Sequence, residues 1–390
     1  MTTPRIVPLG EICTFVGGGT PSRKVAEYFQ GDIPWATVKD FKSYRIVDTE
    51  EHISKTAVIG SATNIVEPGT VLMVSRVGLG KAAIAGCRLA INQDIKAVTP
   101  NGDVSPEYLF WFLLSQAGKI QRMGAGATVK GVTLADIKSI LMPLPSLPEQ
   151  HRLVDILSRA EGIVRLRREA EKKAAELIPA LFIDLFGDPA TNPKGWPAMS
   201  LGELIQDGPQ NGLYKHASHY GDGTPILRID AFYDGRVLDI DALKRVRITS
   251  EEGEKFRLTS RNIVINRVNS VEYLGKSAII PPLPEATVFE SNMMRFAVDE
   301  SRVLPEFVIE LLQTGHAKAH FLSKAKHAIN QSSINQQDVK SIRVPLPPLD
   351  KQRNFTEQVA ANRSIQSQQS AATAKAQASF DALLAEAFGG

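Results

Sequence analysis

Residues 137–157 read IKSILMPLPSLPEQHRLVDIL, and residues 339–359 read VKSIRVPLPPLDKQRNFTEQV. The phrase PLPSLPEQ (143–150) therefore returns as PLPPLDKQ (345–352), with a near-identical lead-in each time. Proline has no amide donor and biases the residue before it away from the helical region, so both phrases predict an extended corner. Beyond each corner lies a long segment rich in helix formers, 149–186 and 350–388.

Working outward, the rest of the chain also matches itself in order. PLGEI (8–12) answers SLGEL (200–204), and DIPWATVKDF (32–41) answers GTPILRIDAF (223–232). GTVLMVSRV (69–77) answers RNIVINRV (261–268), setting Arg76 opposite Arg267; GKAAI (80–84) answers GKSAI (275–279), setting Lys81 opposite Lys276. INQDIKAV (91–98) answers ESNMMRFAV (290–298), which pairs Asn92 with Asn292. PEYLFWFLLSQAGK (106–119) matches PEFVIELLQTGHAK (305–318). Matches that keep their order along the whole chain indicate an internal duplication.

Each copy begins with short β-rich runs between turn residues and continues into a helix opened by Pro106 or Pro305. After the proline corner comes the long helix. In the first, Ile156, Ala160, Ile163, Ala170, Ala174, Leu177 and Leu181 follow a 4-3 spacing, interrupted by Arg167, that predicts a coiled-coil seam. In the second, Phe355, Val359 and Phe380 mark a more polar seam, and its alanines permit close approach to a partner. Pairing of the two helices is expected because their flanks are repeats. Pro179 is expected to kink or end the regular part of the first. The boundaries expected are a domain at 1–145, a helix at 146–190, a second domain at 191–347 and a second helix at 348–390.

Hydrophobic residues make up 43% of the chain and charged residues 22%, a usual globular balance. No run approaches the roughly 20 apolar residues of a membrane span, and MTTPRIVPLGEI lacks a signal-peptide pattern. Cys13 and Cys87 alone imply no disulfide framework and a reducing, cytoplasmic setting. A net charge of +3 is too small to announce a nucleic-acid binder, so any such contact requires basic residues gathered on one face.

Catalytic motifs are missing. GLGK (78–81) lacks the spacing and hydroxyl of a phosphate loop, and no nucleophile elbow or metal-ligand spacing is present. The reading is no catalytic residue, no metal ligand and no cofactor site.

Two diverged copies, each ending in PLPxLxxQ and a long helix, resemble the DNA specificity subunit of type I restriction-modification systems, and the resemblance spans essentially the whole chain. It implies an α+β fold: two duplicated α/β target recognition domains separated by two long antiparallel helices in coiled-coil pairing, with pseudo-twofold construction. It further implies that each domain reads one half of a split, asymmetric double-stranded DNA site. The helices act as a ruler and dock two methyltransferase subunits, and restriction (motor-nuclease) subunits join the assembly. S-adenosylmethionine, ATP and magnesium then belong to those partners.

Basic and amide side chains in loops are the candidate DNA contacts. Arg76 and Lys81 bracket VGLG, and Arg267 and Lys276 bracket NSVEYLG. Asn92 with Gln93, and Asn292, follow the next strand. Lys130 lies in GATVKGVT (126–133), and Asn330 and Gln331 lie in HAINQSS (327–333). Thr20, Ser22, Arg23, Lys24 and Lys39 are further candidates in the first copy; Tyr214, Lys215, His216 and Arg228 hold similar places in the second. Lys324 and Lys326 form a small basic cluster. Each of these could equally be an ordinary surface or turn residue. Two other readings stay open: a specificity partner of another bifunctional restriction-methylation enzyme, and a protein-binding scaffold without a DNA role.

Overall fold

The computed structural model describes residues 4–124, 131–328 and 331–389. The chain divides into two compact units, one formed by 1–169 with 370–390, the other by 170–369. Each unit thus contains half of each long helix.

In the first unit, Arg5–Pro8 pairs antiparallel with Leu141–Leu144, placing Ile6 opposite Pro143. A strand of a two-stranded ribbon tolerates proline because the missing donor can face its open edge. The main sheet has the order Cys13–Gly17, Ile95–Pro100, Val71–Val74, Ala82–Ala85, Arg45–Ile46, and its last pair is parallel. A second sheet orders His52–Ile53, Ile33–Ala36, Leu89–Ile91 and Asn64–Val66.

The second unit repeats this plan. Ala198–Ser200 pairs with Arg343–Pro345, and the main sheet orders Ile205–Asn211, Met293–Val298, Ile263–Asn266, Ser277–Ile279, Gly235–Val237 and Phe232–Tyr233. Gly235–Val237 is again parallel to its neighbour. Tyr220–Leu227 is parallel to Val288–Phe289, as Ile33–Ala36 is to Leu89–Ile91. The duplication read from sequence is therefore a duplication of topology, including the parallel pairs.

A helix covers each main sheet. Pro106–Ser115 is capped by Ser105 and buries six successive residues, Tyr108 to Leu113. A helix buried over so wide an arc sits between two layers: the sheet on one side and the long helices on the other. Its counterpart is Pro305–Leu312.

The long helices are Leu147–Phe186 and Leu349–Phe388. In the first unit, Leu157 and Val164 share a core with Phe380 and Phe388, so the start of one helix meets the end of the other. In the second unit, Ile178, Phe182 and Phe186 share a core with Phe355 and Val359. Both sets of contacts make the helices antiparallel. The polar residues of the second helix also take part: Gln366 donates to the Ala174 carbonyl at 2.7 Å, and Arg168 donates to Gln377 at 2.8 Å.

Two expectations about the first helix are corrected. Pro179 does not end it, since the helix runs on to Phe186. An interior proline costs about 3 kcal/mol, but burial of a large apolar side chain is worth about 1.5–3 kcal/mol. Phe182 and Phe186, packed at ring-centroid distances of 5.0–5.6 Å against Phe307 and Phe355, offset that cost. The seam is also displaced. Ala174 is buried and Ile156, Ala160 and Leu181 are half-buried, but Ile163 is 52% exposed, Leu177 is 49% exposed and Ala170 is exposed. The buried line takes Leu157, Val164, Ile178 and Phe182 instead, because each end of the helix packs on a domain as well as on its partner helix. Phe355, Val359 and Phe380 are buried.

Candidate nucleic-acid interface

Five chain segments meet at one end of the main sheet in the first unit, and four backbone hydrogen bonds join them. The Gly19 amide donates to Ile91, the Asn92 amide to Ala36, the Ser75 amide to Asp94, and the Val132 amide to Ser75, at 2.8–3.1 Å. The second unit has the same circuit. Leu213 donates to Phe289, Glu290 to Leu227, Arg267 to Asn292, and Ile334 to Arg267, at 2.8–3.0 Å.

This circuit realigns the repeat. Strand register sets Val74 opposite Ile95 and Asn266 opposite Met293. Ser75 is then equivalent to Arg267, and Asn92 to Glu290. The sequence pairings of Arg76 with Arg267 and of Asn92 with Asn292 are displaced by one and two residues respectively. Lys81 and Lys276 remain equivalent, since each carbonyl accepts from the matching strand amide, Val74 or Asn266.

In the first unit, Arg76 projects from the turn with its side chain 48% exposed, its Nε 3.7 Å from Asp94. Lys81 and Gln93 are exposed. Gly78 and Gly80 both have positive φ, near 90°, which permits this tight turn. Asn92 is buried, and its Oδ1 accepts the Asp94 amide at 3.1 Å, so it closes a turn and is not free to read a base. Thr20, Ser22, Lys24 and Lys39 are exposed. Arg23 is held instead: it donates twice to Glu51 and lies 4.3 Å from the Phe29 ring centre. Lys130 lies outside the described residues.

In the second unit, the strand carrying Val268 and Asn269 pairs with Gln331–Ser333, which pairs with Lys326–Ala328. Arg267, Gln331 and Lys326 are thereby brought to one edge, where Gln331, Lys326 and Lys324 are exposed. Asn330 lies outside the described residues. Arg267 donates to the Ser291 carbonyl at 3.1 Å and is only partly exposed. Asn292 is half-buried beside it.

Three candidates in this unit are engaged elsewhere. Lys276 sits 3.7 Å from the Tyr233 ring centre and 5.2 Å from that of Tyr273, and donates to the Ile229 carbonyl at 2.7 Å. Burial pushes its pKa down. It fastens two loops together and is not a bracket facing solvent as Lys81 is. Lys215 is bound to Glu252 at 2.7 Å with its side chain 15% exposed. His216 accepts the Ser218 amide and caps a short turn.

A cavity of about 450 Å³ adjoins the Ser291–Asn292 turn, lined among others by Tyr214, Tyr220, Arg228, Lys244 and Glu290. Tyr214 is 76% exposed. Glu290 accepts the Ile229 amide at 2.7 Å, and its other carboxylate oxygen lies 3.8 Å from the Arg228 Nε. Burial pushes the Glu290 carboxyl up, while the Ile229 amide, Arg228 and Lys244 draw it back. Lys244 and Glu290 did not stand out in the sequence. The run LKRVRITS (243–250), basic on successive strand positions, is the signal that could have found Lys244; only strand register could have found Glu290.

Known proteins decide what this duplicated arrangement is. The family described as the type I restriction modification DNA specificity domain matches residues 4–176 and again 193–358. The chain belongs to that family. DNA recognition in a type I restriction-modification system is the function of this specificity chain. Among similar proteins, the specificity subunit of type I restriction enzyme MjaIX from Methanocaldococcus jannaschii is 27% identical over 337 residues, 76% of each chain. That of StySPI from Salmonella potsdam is 26% identical over 316 residues, 75% of this chain and 67% of that one. Two solved structures share the fold. A chain of a type I R-M system has a TM-score of 0.65 at 19% identity, covering 99% of this specificity chain and 98% of its own. The type I S subunit from M. genitalium has 0.58 at 13% identity, covering 100% and 97%.

Among the described residues of the specificity chain, no cluster of three or more His, Cys, Asp or Glu could hold a metal ion. No helix there is long and apolar enough to cross a membrane.

Proposed function

We propose that each unit reads one half of a split, asymmetric duplex site and that the chain itself is not a catalyst. One observation carries this reading: the same loop circuit occurs in both units but carries different side chains, with Asn92 and Asp94 in one where Glu290 and Asn292 stand in the other. Equivalent frames with unlike chemistry suit two unlike half-sites. Arg76, Lys81, Gln93, Lys39 and the Thr20–Lys24 loop are the contacts proposed for the first half-site. Arg267, Arg228, Tyr214, Asn292, Gln331, Lys324 and Lys326 are those proposed for the second.

On this reading the chain carries two methyltransferase subunits, and through them restriction subunits, to the site. S-adenosylmethionine, ATP and magnesium are used by those partners, and the assembly works in the cytoplasm. Footprinting of the assembled complex tests the reading. Two protected patches with an unprotected gap are expected; one continuous patch or none would refute it.

A further inference from the structure

Several basic side chains in the second unit are closely paired with a carboxylate, among them Lys215, Arg261 and Arg363, but the cavity beside Glu290 holds an unfinished set. Arg228 lies 3.8 Å from both Asp230 and Glu290 through its Nε, too far for a hydrogen bond, and that buried nitrogen has no hydrogen-bond partner. Its guanidinium carbon stands 5.4 Å from the Tyr220 ring centre, within cation–π range. Glu290 is only 6% exposed, yet one of its oxygens is committed to the Ile229 amide and the other faces Arg228 across the cavity wall. A donor-only guanidinium therefore stands beside a carboxylate acceptor, and both residues line the cavity at the end of the loop circuit.

A phosphate does not match this pair, because a buried carboxylate would repel it. A base pair does. In the major groove every Watson–Crick pair sets an exocyclic amino donor beside a keto acceptor: cytosine N4 beside guanine O6, or adenine N6 beside thymine O4. Which strand carries the amino group is the information that a fixed acceptor–donor pair can read.

We infer that Glu290 and Arg228 form a base-pair reader in which Glu290 accepts from the amino group of cytosine or adenine and Arg228 donates to the keto oxygen opposite. This deepens the half-site reading above and rests on it. The pair discriminates amino from keto bases at one position of one half-site. Exposed Tyr214 and Lys244 also line the cavity. Asn92, which takes the place of Glu290 in the first unit, is closed on its own turn and gives that unit no equivalent reader.

The test selects bound sequences from a pool of randomised DNA duplexes, using the full chain in its methyltransferase complex, as wild type, Glu290→Gln and Arg228→Gln. The Glu290→Gln side chain keeps an oxygen to accept from the Ile229 amide but replaces the second acceptor with an NH2 donor. Wild type is expected to require adenine or cytosine at one position, and the selected motif says which. Both variants should lose that preference by about 10- to 100-fold while the other half-site stays unchanged. An unaltered motif in both variants would overturn the reader. So would a uniform loss of binding at all sequences, which would mark the pair as structural, or tighter binding by Glu290→Gln without a change of motif, which would mark a phosphate seat. A wild type that selects no split motif would instead refute the half-site reading itself.

Discussion

Gln150 and Gln352 make the same buried connection in the two halves of the chain, and neither has any exposed surface. The Gln150 Oε1 accepts the Ser105 amide at 2.9 Å, while its Nε2 donates to the carbonyls of Asp103 and Pro145 at 2.8 and 3.0 Å. The Gln352 Oε1 accepts the Leu304 amide at 2.8 Å, and its Nε2 donates to Pro347 at 2.7 Å. Each glutamine ties the first turn of a long helix to the loop that opens the domain helix. This is why the repeated phrase ends in glutamine. Gln150→Leu should leave several buried groups unpaired, at about 1–3 kcal/mol each. Hydrogen exchange checks it: the Ser105 amide should lose protection in Gln150→Leu while that of Leu304 keeps it, with the reverse in Gln352→Leu.

Lys81 and Lys276 are equivalent in register but differ in surroundings, so their substitutions should separate. Removing a cation that neutralises one phosphate flattens the salt dependence of binding by about 0.9 in log–log slope. Lys81→Ala should lower the slope of duplex binding against salt by that amount. Lys276→Ala should leave the slope unchanged and lower the melting temperature, because it empties the space between Tyr233 and Tyr273.

Glu310 and Arg363 form a buried ion pair between the domain helix and the second long helix. Burial pushes the Glu310 carboxyl up and the Arg363 guanidinium down, so desolvation opposes both charges. Glu310→Ala should destabilise the second unit by about 3–5 kcal/mol, because it strands a buried charge, whereas the double change Glu310→Leu with Arg363→Met should be near neutral or stabilising. Urea unfolding of the three variants distinguishes these outcomes.

Acid should weaken the fold through its helix caps. The Thr133 hydroxyl and amide hold the Asp136 carboxyl below its usual range, the Ser200 amide and hydroxyl do so for Glu203, and Lys215 with the Thr249 amide does so for Glu252. A carboxyl whose pKa is lowered on folding adds stability above its unfolded pKa, and that stability is lost as pH falls through the folded value. Melting temperature followed from about pH 7 to about pH 3 should fall in wild type. The fall should be shallower in a variant carrying Asp136→Asn, Glu203→Gln and Glu252→Gln, which should also start lower at neutral pH.

Duplication, proline corners, long helices and family membership were legible because they are written in local residue chemistry repeated twice. Side-chain commitments were not. Lys276 looks like a free cation until Tyr233, distant in sequence, closes on it together with the nearby Tyr273. Asn92 looks like a base reader until Asp94 turns back upon it. The alignment of Arg76 with Arg267 followed residue identity, whereas strand pairing follows backbone hydrogen bonds, and the two differ by one position. The apolar seam failed at Ile163 and Leu177 because a 4-3 pattern describes one partner helix, and these helices also pack on domains.

The first domain takes Phe380 and Phe388 from the far end of the chain, where they pack against Trp111, Tyr108 and Phe112 at 5.2–5.7 Å. On the ribosome, a domain normally closes soon after its own residues emerge. This one cannot, since the aromatic surface around Trp111 waits, uncovered, for residues translated more than 260 positions later. The earliest-made half of the molecule is thus the last to be sealed, and a nascent chain stalled before Phe380 would display a sticky, unfinished face.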